Sequence, residues 1–202
     1  LFYFILIGIS TIANSAEINF KPLFDKSNKV FANKILEIMP SLNNVRIGDP
    51  NAKNIIIEFV DYNCGYCKAI HKEIIDLANN KELDLVVYFF QFPVLSDSSR
   101  LYSKILLSVA EQNMEEAIVL HDKLMNIKGN LNDNKLNFIL SDININQKKF
   151  EEDMMSLNIE EKIEVSYYVA RRIGGTGTPL LIINNFVEQG FRTKEEIVNI
   201  LD

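Results

Sequence analysis

Residues 55–68 read IIIEFVDYNCGYCK. The β-branched, nearly continuous apolar run from Ile55 to Val60 is typical of a strand buried on both faces. The cysteine motif follows directly, and a helical pattern continues from Ile70 to Leu77 before a second buried-strand pattern at 85–90. Strand, helix and strand in this order predict a βαβ unit with parallel strands and a right-handed crossover.

Only helical patterns follow between Ser96 and Ile173, and they predict helices at 98–113, 115–128, 133–140, 147–155 and 160–173. Strand patterns return at 180–183 and 186–189 around the turn Asn184-Asn185, which predicts a hairpin, and a last helix is expected at 194–201. We therefore expect an α/β fold of the order βαβ…ββα with an all-helical insertion at about 96–174.

Composition narrows the class of protein. The chain has 202 residues, of which 48% are hydrophobic, and its 21 basic and 27 acidic residues give a net charge of −6. This composition excludes a disordered chain and a multi-span membrane protein. The acidic balance argues against general nucleic-acid binding.

The N-terminus resembles a secretory signal. An apolar run at 1–9 precedes the small-residue stretch at 13–16, so we expect residues 1–16 to be a signal peptide truncated at its start. Cleavage after Ser15 and after Ala16 both remain open, and an uncleaved membrane anchor is the alternative. Export would place the chain in the periplasm or outside the cell, where oxidising conditions favour disulfide chemistry.

Residues 17–46 are expected to form an N-terminal helical extension. Apolar positions between Phe20 and Leu42 predict one amphipathic helix that ends near Pro40. This helix could pack on the protein's own core or serve as a self-association arm that makes a homo-oligomer through residues 20–42. The loop Gly48-Asp49-Pro50 opens the main domain, which we place at 47–202.

The chain's two cysteines, Cys64 and Cys67, stand three positions apart. At a strand-to-helix junction, this spacing puts both sulfurs on one helical face, where a disulfide can open and close without moving the fold. A helix N-terminus would stabilise the Cys64 thiolate as the attacking sulfur, and Cys67 would resolve the mixed disulfide. No metal or other cofactor is needed, because the cysteine pair itself carries two electrons.

Three other uses of the pair are less favoured. A zinc site needs two more ligands, and the histidines of the chain are His71 and His121. Haem attachment needs a histidine where Lys68 stands. A structural disulfide over so short a loop would stabilise the fold weakly. His121 is expected to be an ordinary packing or surface residue without a partner.

Gly48-Asp49-Pro50, the stretch 58–68 and Gly175-Thr176-Gly177-Thr178-Pro179 together resemble the DsbA-like branch of the thioredoxin superfamily, the secreted bacterial thiol–disulfide oxidoreductases. The resemblance implies that Pro179 is a cis-proline facing the active site. It also implies that the Thr178 backbone binds extended substrates while the Thr178 side chain tunes Cys64.

The same resemblance implies a role for Glu58, and Tyr66 is a further candidate within the motif. Glu58 would lie beneath the active site and assist proton transfer to Cys67, although an edge position in which Glu58 is simply solvated is the alternative. An exposed aromatic near a thiol could contact unfolded substrate proteins, and Tyr66 is the candidate, with plain hydrophobic surface or core beside the motif as the alternative.

Two enzymatic functions remain open at this stage. Gly65-Tyr66 together with Thr178 resembles the active site of DsbC-like isomerases, whose dimerisation domain is not evident here. The chain is therefore either an oxidase of reduced exported proteins or an oligomeric isomerase of misoxidised ones, served by a membrane redox partner of the DsbB or DsbD type. A secreted binding or surface protein on a thioredoxin-like scaffold is the non-enzymatic alternative.

Overall fold

A computed structural model describes residues 32–42, 45–128 and 132–201. The predicted signal peptide at 1–16 and the first part of the predicted extension lie outside the described residues. Within the described ranges, no helix combines the length and apolar character that crossing a bilayer requires.

The central sheet has five strands in its described part, in the order β1-β3-β2-β4-β5. The strands are β1 Arg46–Ile47, β2 Asn54–Val60, β3 Leu85–Gln91, β4 Leu180–Ile183 and β5 Phe186–Gln189. Strands β2 and β3 are parallel, while β1, β4 and β5 each pair antiparallel to their neighbours. The predicted βαβ unit and hairpin are confirmed. Strand β1 was not predicted, because two residues are too few to show a period.

Eight α-helices are described, namely α1 Ala32–Ile38, α2 Gly65–Ala78, α3 Asp97–Ala110, α4 Met114–Met125, α5 Asp133–Ser141, α6 Gln147–Met154, α7 Leu157–Arg172 and α8 Lys194–Leu201. Short 3₁₀ turns lie at Pro40–Leu42 and Lys81–Leu83. Helices α3 to α7 form the predicted helical insertion, and the α/β thioredoxin-like fold class is confirmed.

Capping residues explain where the predicted boundaries were wrong. The predicted helix to 113 ends at Ala110, because Asn113 instead caps α4 by accepting hydrogen bonds from the Glu115 and Glu116 N–H groups. Helix α7 begins three residues earlier than predicted, because the Ser156 hydroxyl accepts the Ile159 N–H and starts the helix at Leu157.

Two hydrophobic cores lie on opposite faces of the sheet. Side chains alternate along β2, so Ile56 and Val60 pack with α2 in one core, and Ile57 and Phe59 pack in the other.

The described part of the predicted 20–42 helix is α1 with the following 3₁₀ turn. Its fully buried Ile35 belongs to the second core, so this part packs on the protein's own sheet.

Candidate active site

Cys64 lies at the N-terminus of α2, where the chain leaves β2 and turns into the helix. Its extended backbone and side chain form the N-cap, and its Sγ accepts the Cys67 N–H at 3.2 Å. A sulfur in this position accepts hydrogen bonds from the unpaired N–H groups of the first helical turn. The positive end of the helix dipole stabilises a negative charge on it. The predicted junction of strand, thiol and helix is therefore what the structure shows.

The environment of Cys64 favours a thiolate. A hydrogen bond from the Cys67 side chain lowers the pKa of Cys64 to about 6, against the opposing effect of burial. Smaller contributions in the same direction come from Thr178 and from the N–H groups of Cys67 and Tyr66. A thiol with a pKa near ambient pH is both a populated nucleophile and a good leaving group.

The pKa of the Cys67 thiol is shifted in the opposite direction to that of Cys64. Cys67 is fully buried, and burial raises the pKa of its thiol well above the usual range; the hydrogen bond to Cys64 and the charge of Glu58 raise this pKa further. The two cysteines are free thiols in this structure. Both thiols are enclosed, with Cys64 4% and Cys67 0% exposed, and the pair combines a thiol of lowered pKa at the helix N-terminus with one of raised pKa behind it.

The loop before β4 meets the cysteine pair. The Thr178–Pro179 peptide bond is cis, and the Cys64 thiol donates a hydrogen bond to the Thr178 carbonyl oxygen at 3.2 Å. The Thr178 hydroxyl is buried and has no hydrogen-bond partner of standard geometry among the described residues, although Thr178 contributes to the lowered pKa of Cys64. Residues separated by more than a hundred positions are thereby brought together.

Glu58 lies inside the sheet. Its strand β2 is flanked by β3 and β4, where Phe89 and Leu181 are its partners in register, so the alternative of a solvated edge position is wrong. The side chain is 0% exposed, and neither carboxylate oxygen has a hydrogen-bond partner among the described residues. Burial raises the pKa of Glu58 to about 8, and the charge of Cys64 adds to this effect.

Tyr66 and Lys68 lie on the outer side of the motif. Tyr66 is 68% exposed, which suits the predicted contact surface. Lys68 is partly buried and donates from Nζ to the Ile127 carbonyl at 3.2 Å. Burial lowers the pKa of Lys68, followed by the charge of Lys135, while the charge of Cys64 opposes this shift.

Asp61 was missed by sequence analysis. It is buried, and its Oδ2 accepts the N–H groups of Val94 and Leu95 while its Oδ1 accepts that of Asn63. These hydrogen bonds connect the segment before Cys64 with the segment that follows β3. An aspartate directly after a buried strand is the signal that could have identified this position.

His121 does have a partner, contrary to the expectation from sequence. The Nδ1 atom of this fully buried residue lies 2.8 Å from the Tyr62 hydroxyl, and its ring centroid lies 4.0 Å from that of Phe89 and 5.1 Å from that of His71. His71 in turn lies 2.9 Å from Asp122. His121 belongs to α4 in the helical insertion, so no local pattern could place it beside the motif.

Residues 41–202 match the family model described as Thioredoxin. The thiol:disulfide interchange protein DsbC of Salmonella typhimurium is 25% identical, in an alignment that covers 76% of this chain and 52% of that protein. The chain thus spans about half the length of this curated relative.

Solved structures of similar fold include the thiol–disulfide exchange protein alpha-DsbA2 of Wolbachia pipientis, with 27% identity, a TM-score of 0.74 and coverage of 84% of this chain and 93% of that one. The catalytic domain of Proteus mirabilis ScsC has a TM-score of 0.70 at 22% identity, covering 85% and 96% of the two chains, and this likeness concerns the fold alone.

Proposed function

The chain belongs to the thioredoxin family, and from this premise we propose that it is a protein thiol–disulfide oxidoreductase that uses Cys64 and Cys67 as its redox pair. One observation carries the proposal, namely the opposite environments of the two thiols. The pKa of Cys64 falls to about 6 at the helix N-terminus, while that of the buried Cys67 rises. From this difference in pKa we infer that Cys64 is both the attacking and the leaving sulfur, and that Cys67 resolves the mixed disulfide.

Oxidation of a substrate protein then proceeds in two exchanges. A substrate thiolate attacks Cys64 in the Cys64–Cys67 disulfide, so a mixed disulfide forms and Cys67 leaves, taking up one proton. A second substrate thiol, after losing a proton, attacks the sulfur of the first one. The substrate gains a disulfide and loses two electrons, and Cys64 leaves as a thiolate. In the reverse direction the same pair reduces a disulfide.

Glu58 is positioned to handle the proton on Cys67. The charge of Glu58 raises the pKa of Cys67, and the charge of Cys64 raises that of Glu58, which shows that the three groups interact. A buried carboxyl with a pKa of about 8 exchanges its proton near neutral pH, as a general acid and base should. Glu58 is thus the group that protonates and deprotonates Cys67.

We propose that the substrates are exported proteins, bound at the surface made by Tyr66 and the Thr178 backbone. The signal-like pattern at 1–16 supports a periplasmic or secreted location. A membrane redox partner of the DsbB or DsbD type would restore the cysteine pair after each cycle.

Disulfide isomerisation is the second candidate function. The 25% identity to DsbC favours it. Self-association through residues 20–42 would have to use positions other than Ile35, which is buried within a single chain. A monomer whose Cys64 and Cys67 are oxidised in cells would exclude the isomerase, whereas a reduced oligomer would exclude the oxidase.

Trapping of mixed disulfides tests the proposed function. The variants Cys67→Ser and Cys64→Ser are each incubated with a reduced, unfolded test protein. The oxidised original protein is the reference for exchange activity. We expect Cys67→Ser, pre-activated at Cys64 as a mixed disulfide with thionitrobenzoate, to form a long-lived mixed disulfide with a test protein that has a single cysteine, because no second thiol is then present to resolve it. Cys64→Ser should form none and should lack exchange activity. Absence of mixed disulfides and of exchange activity in both variants and in the original protein would instead favour the non-enzymatic scaffold.

A further inference from the structure

The chemistry at Cys67 requires a proton to cross the protein. When Cys67 attacks a mixed disulfide on Cys64, its thiol proton must leave, and Glu58 is the acceptor in the proposed function. Cys67 and Glu58 are both 0% exposed, and the Glu58 oxygens have no hydrogen-bond partner among the described residues. A proton placed on Glu58 therefore needs a route to solvent.

A row of polar side chains starts next to this pair. Tyr62 follows β2 and is 2% exposed. Tyr62 and Cys67 belong to the same core on the α2 side of the sheet, and Phe89, which pairs in register with Glu58, packs against the His121 ring. Burial raises the pKa of Tyr62 well above its usual range, a hydrogen bond with Gln91 opposes this, and the charges of Glu58 and Cys67 raise the pKa further. The Tyr62 hydroxyl lies 2.8 Å from His121 Nδ1.

The row ends at the surface. His71 Nε2 lies 2.9 Å from Asp122 Oδ1, and the Asp122 side chain is 54% exposed. The rings of His121 and His71 lie between the two ends, with centroids 5.1 Å apart and planes at 69°. Four side chains from the active-site loop, α2 and α4 thus join a closed interior to solvent.

The unpaired atoms of the two histidines are complementary. His71 donates from Nε2 to a carboxylate, so its Nδ1 is an acceptor, and this atom is buried without a partner among the described residues. In the tautomer in which His121 accepts the Tyr62 hydroxyl at Nδ1, its Nε2 carries a hydrogen, and this atom is also buried and has no hydrogen-bond partner among the described residues. These two atoms do not form a direct hydrogen bond with each other, but a donor and an acceptor on adjacent rings can exchange a proton through one water molecule.

We propose that Tyr62, His121 and His71 conduct protons between the buried Glu58–Cys67 pair and Asp122 at the surface. Each histidine takes a proton on one ring nitrogen and releases one from the other, and the Tyr62 oxygen accepts a proton while it gives up its own. The number of protons on the row is therefore unchanged after one has passed, and the hydrogen-bond directions are then reset. This inference rests on the proposed function, because it supplies the proton exit that thiol exchange needs. The titratable groups around the row are Glu58, Asp61, Cys64, Cys67 and Asp122.

The reaction of the reduced protein with a thionitrobenzoate disulfide tests the route. In the first phase the Cys64 thiolate displaces one thionitrobenzoate, and no proton leaves Cys67. In the second phase Cys67 attacks Cys64, a second thionitrobenzoate is released, and one proton leaves. Stopped-flow absorbance resolves both phases, so the first is an internal control for the second.

We expect Tyr62→Phe to slow the second phase by roughly 10- to 100-fold and to leave the first phase unchanged. The second phase of the original protein should show a solvent deuterium isotope effect. Asp122→Asn changes only the exposed end, so a smaller slowing is expected, and added imidazole buffer should restore the rate. The reduction potential of the pair should not change in either variant, because a proton route alters rates and not equilibria.

Ser108→Ala is the control for removal of a buried hydroxyl as such, because Ser108 lies in α3 away from the row and its hydroxyl has no hydrogen-bond partner among the described residues. A second phase in Tyr62→Phe as fast as in the original protein would overturn the route, as would equal slowing in Ser108→Ala. Absence of the first phase in the original protein would overturn the proposed function itself.

Discussion

At the scale of single residues, two neighbouring cysteines acquire opposite acidities because one caps a helix and the other is fully enclosed beside Glu58. The Cys64 sulfur accepts hydrogen bonds that stabilise its charge, while Cys67 is in surroundings that disfavour a charge. The difference arises from position in the first helical turn, since the side chains are chemically identical.

Alkylation should therefore distinguish the two thiols. In the reduced protein, the rate of Cys64 alkylation by iodoacetamide should rise with pH around a midpoint of about 6, while Cys67 stays unmodified over this range. In Cys67→Ala the midpoint should move upward, because the hydrogen bond from Cys67 is the largest cause of the lowered pKa of Cys64. Mass spectrometry of labelled peptides measures both rates. An unshifted midpoint in Cys67→Ala would assign the effect to the helix N-terminus.

Glu58 should make stability depend on pH. Its folded pKa of about 8 exceeds the unfolded value of 4.5, so the folded state holds the extra proton between these limits and loses stability as pH rises through them. Glu58→Gln removes this loss. Relative to the original protein, the variant should gain roughly 3 kcal/mol of unfolding free energy between pH 4.5 and 7.

Urea unfolding of the reduced proteins at both pH values measures this gain. Comparing the change with pH, and not the absolute stability, cancels the constant cost of burying the glutamine amide. A gain independent of pH would show that Glu58 is ionised in the folded state throughout this range.

At the scale of elements, the junction from α7 to β4 holds the cis-proline loop in place. Arg171 donates from Nη1 to the Gly175 carbonyl at 3.1 Å, and its guanidinium lies over the rings of Phe92 and Tyr167. The Gly175 N–H donates to the Ala170 carbonyl at 2.8 Å. These contacts place Thr178 against Cys64 although neither residue belongs to α7.

Gly175→Ala should destabilise the protein by about 1–3 kcal/mol and slow thiol exchange. A Cβ at this position would lie 2.7 Å from the Ala170 carbonyl oxygen and 2.6 Å from a Leu180 methyl group, so the loop would have to move. Gly177→Ala is the matched control in the same loop, because a Cβ there meets nothing within 4 Å. Thermal unfolding and the exchange rate check both variants, and equal effects would show that close packing at Gly175 does not matter.

At the scale of the whole molecule, the sheet separates two cores with different tasks. The core on the α2 side contains the cysteines and the helical insertion, whereas the core on the other side contains α1 and part of α7. The second core packs on the face of the sheet opposite α2. It contains no residue to which the proposed function assigns a chemical role.

Ile35→Ala should therefore lower the unfolding free energy by about 2–5 kcal/mol, because it leaves a cavity in the second core. The molecular mass in solution should not change, because Ile35 packs within one chain. Denaturant unfolding and light scattering measure these quantities, with the exposed Asn33→Ala as the control on the same helix. A change in mass with unchanged stability would instead assign Ile35 to an interface between chains.

Much of the architecture could be predicted because its signals are local. The β2 and β3 patterns, the hairpin at 180–189 and the positions of the helices follow from hydrophobic periods and turn residues. The spacing predicted that Cys64 and Cys67 lie in the first turn of one helix, and the resemblance predicted the cis bond before Pro179 and the position of Glu58 beneath the motif. Helix ends were shifted by capping side chains, whose choice among neighbouring polar residues the hydrophobic period does not specify.

Sequence by itself determined the order of strands and helices, the placement of both cysteines at a strand-to-helix junction and the acidic character of the chain. Only the tertiary structure decided that Glu58 is enclosed between two strands and that Thr178 reaches Cys64. It also decided that His121 lies between Tyr62 and His71. The physical reason is that periods and caps act between residues a few positions apart, whereas burial and proton exchange depend on residues that folding brings together from distant parts of the chain.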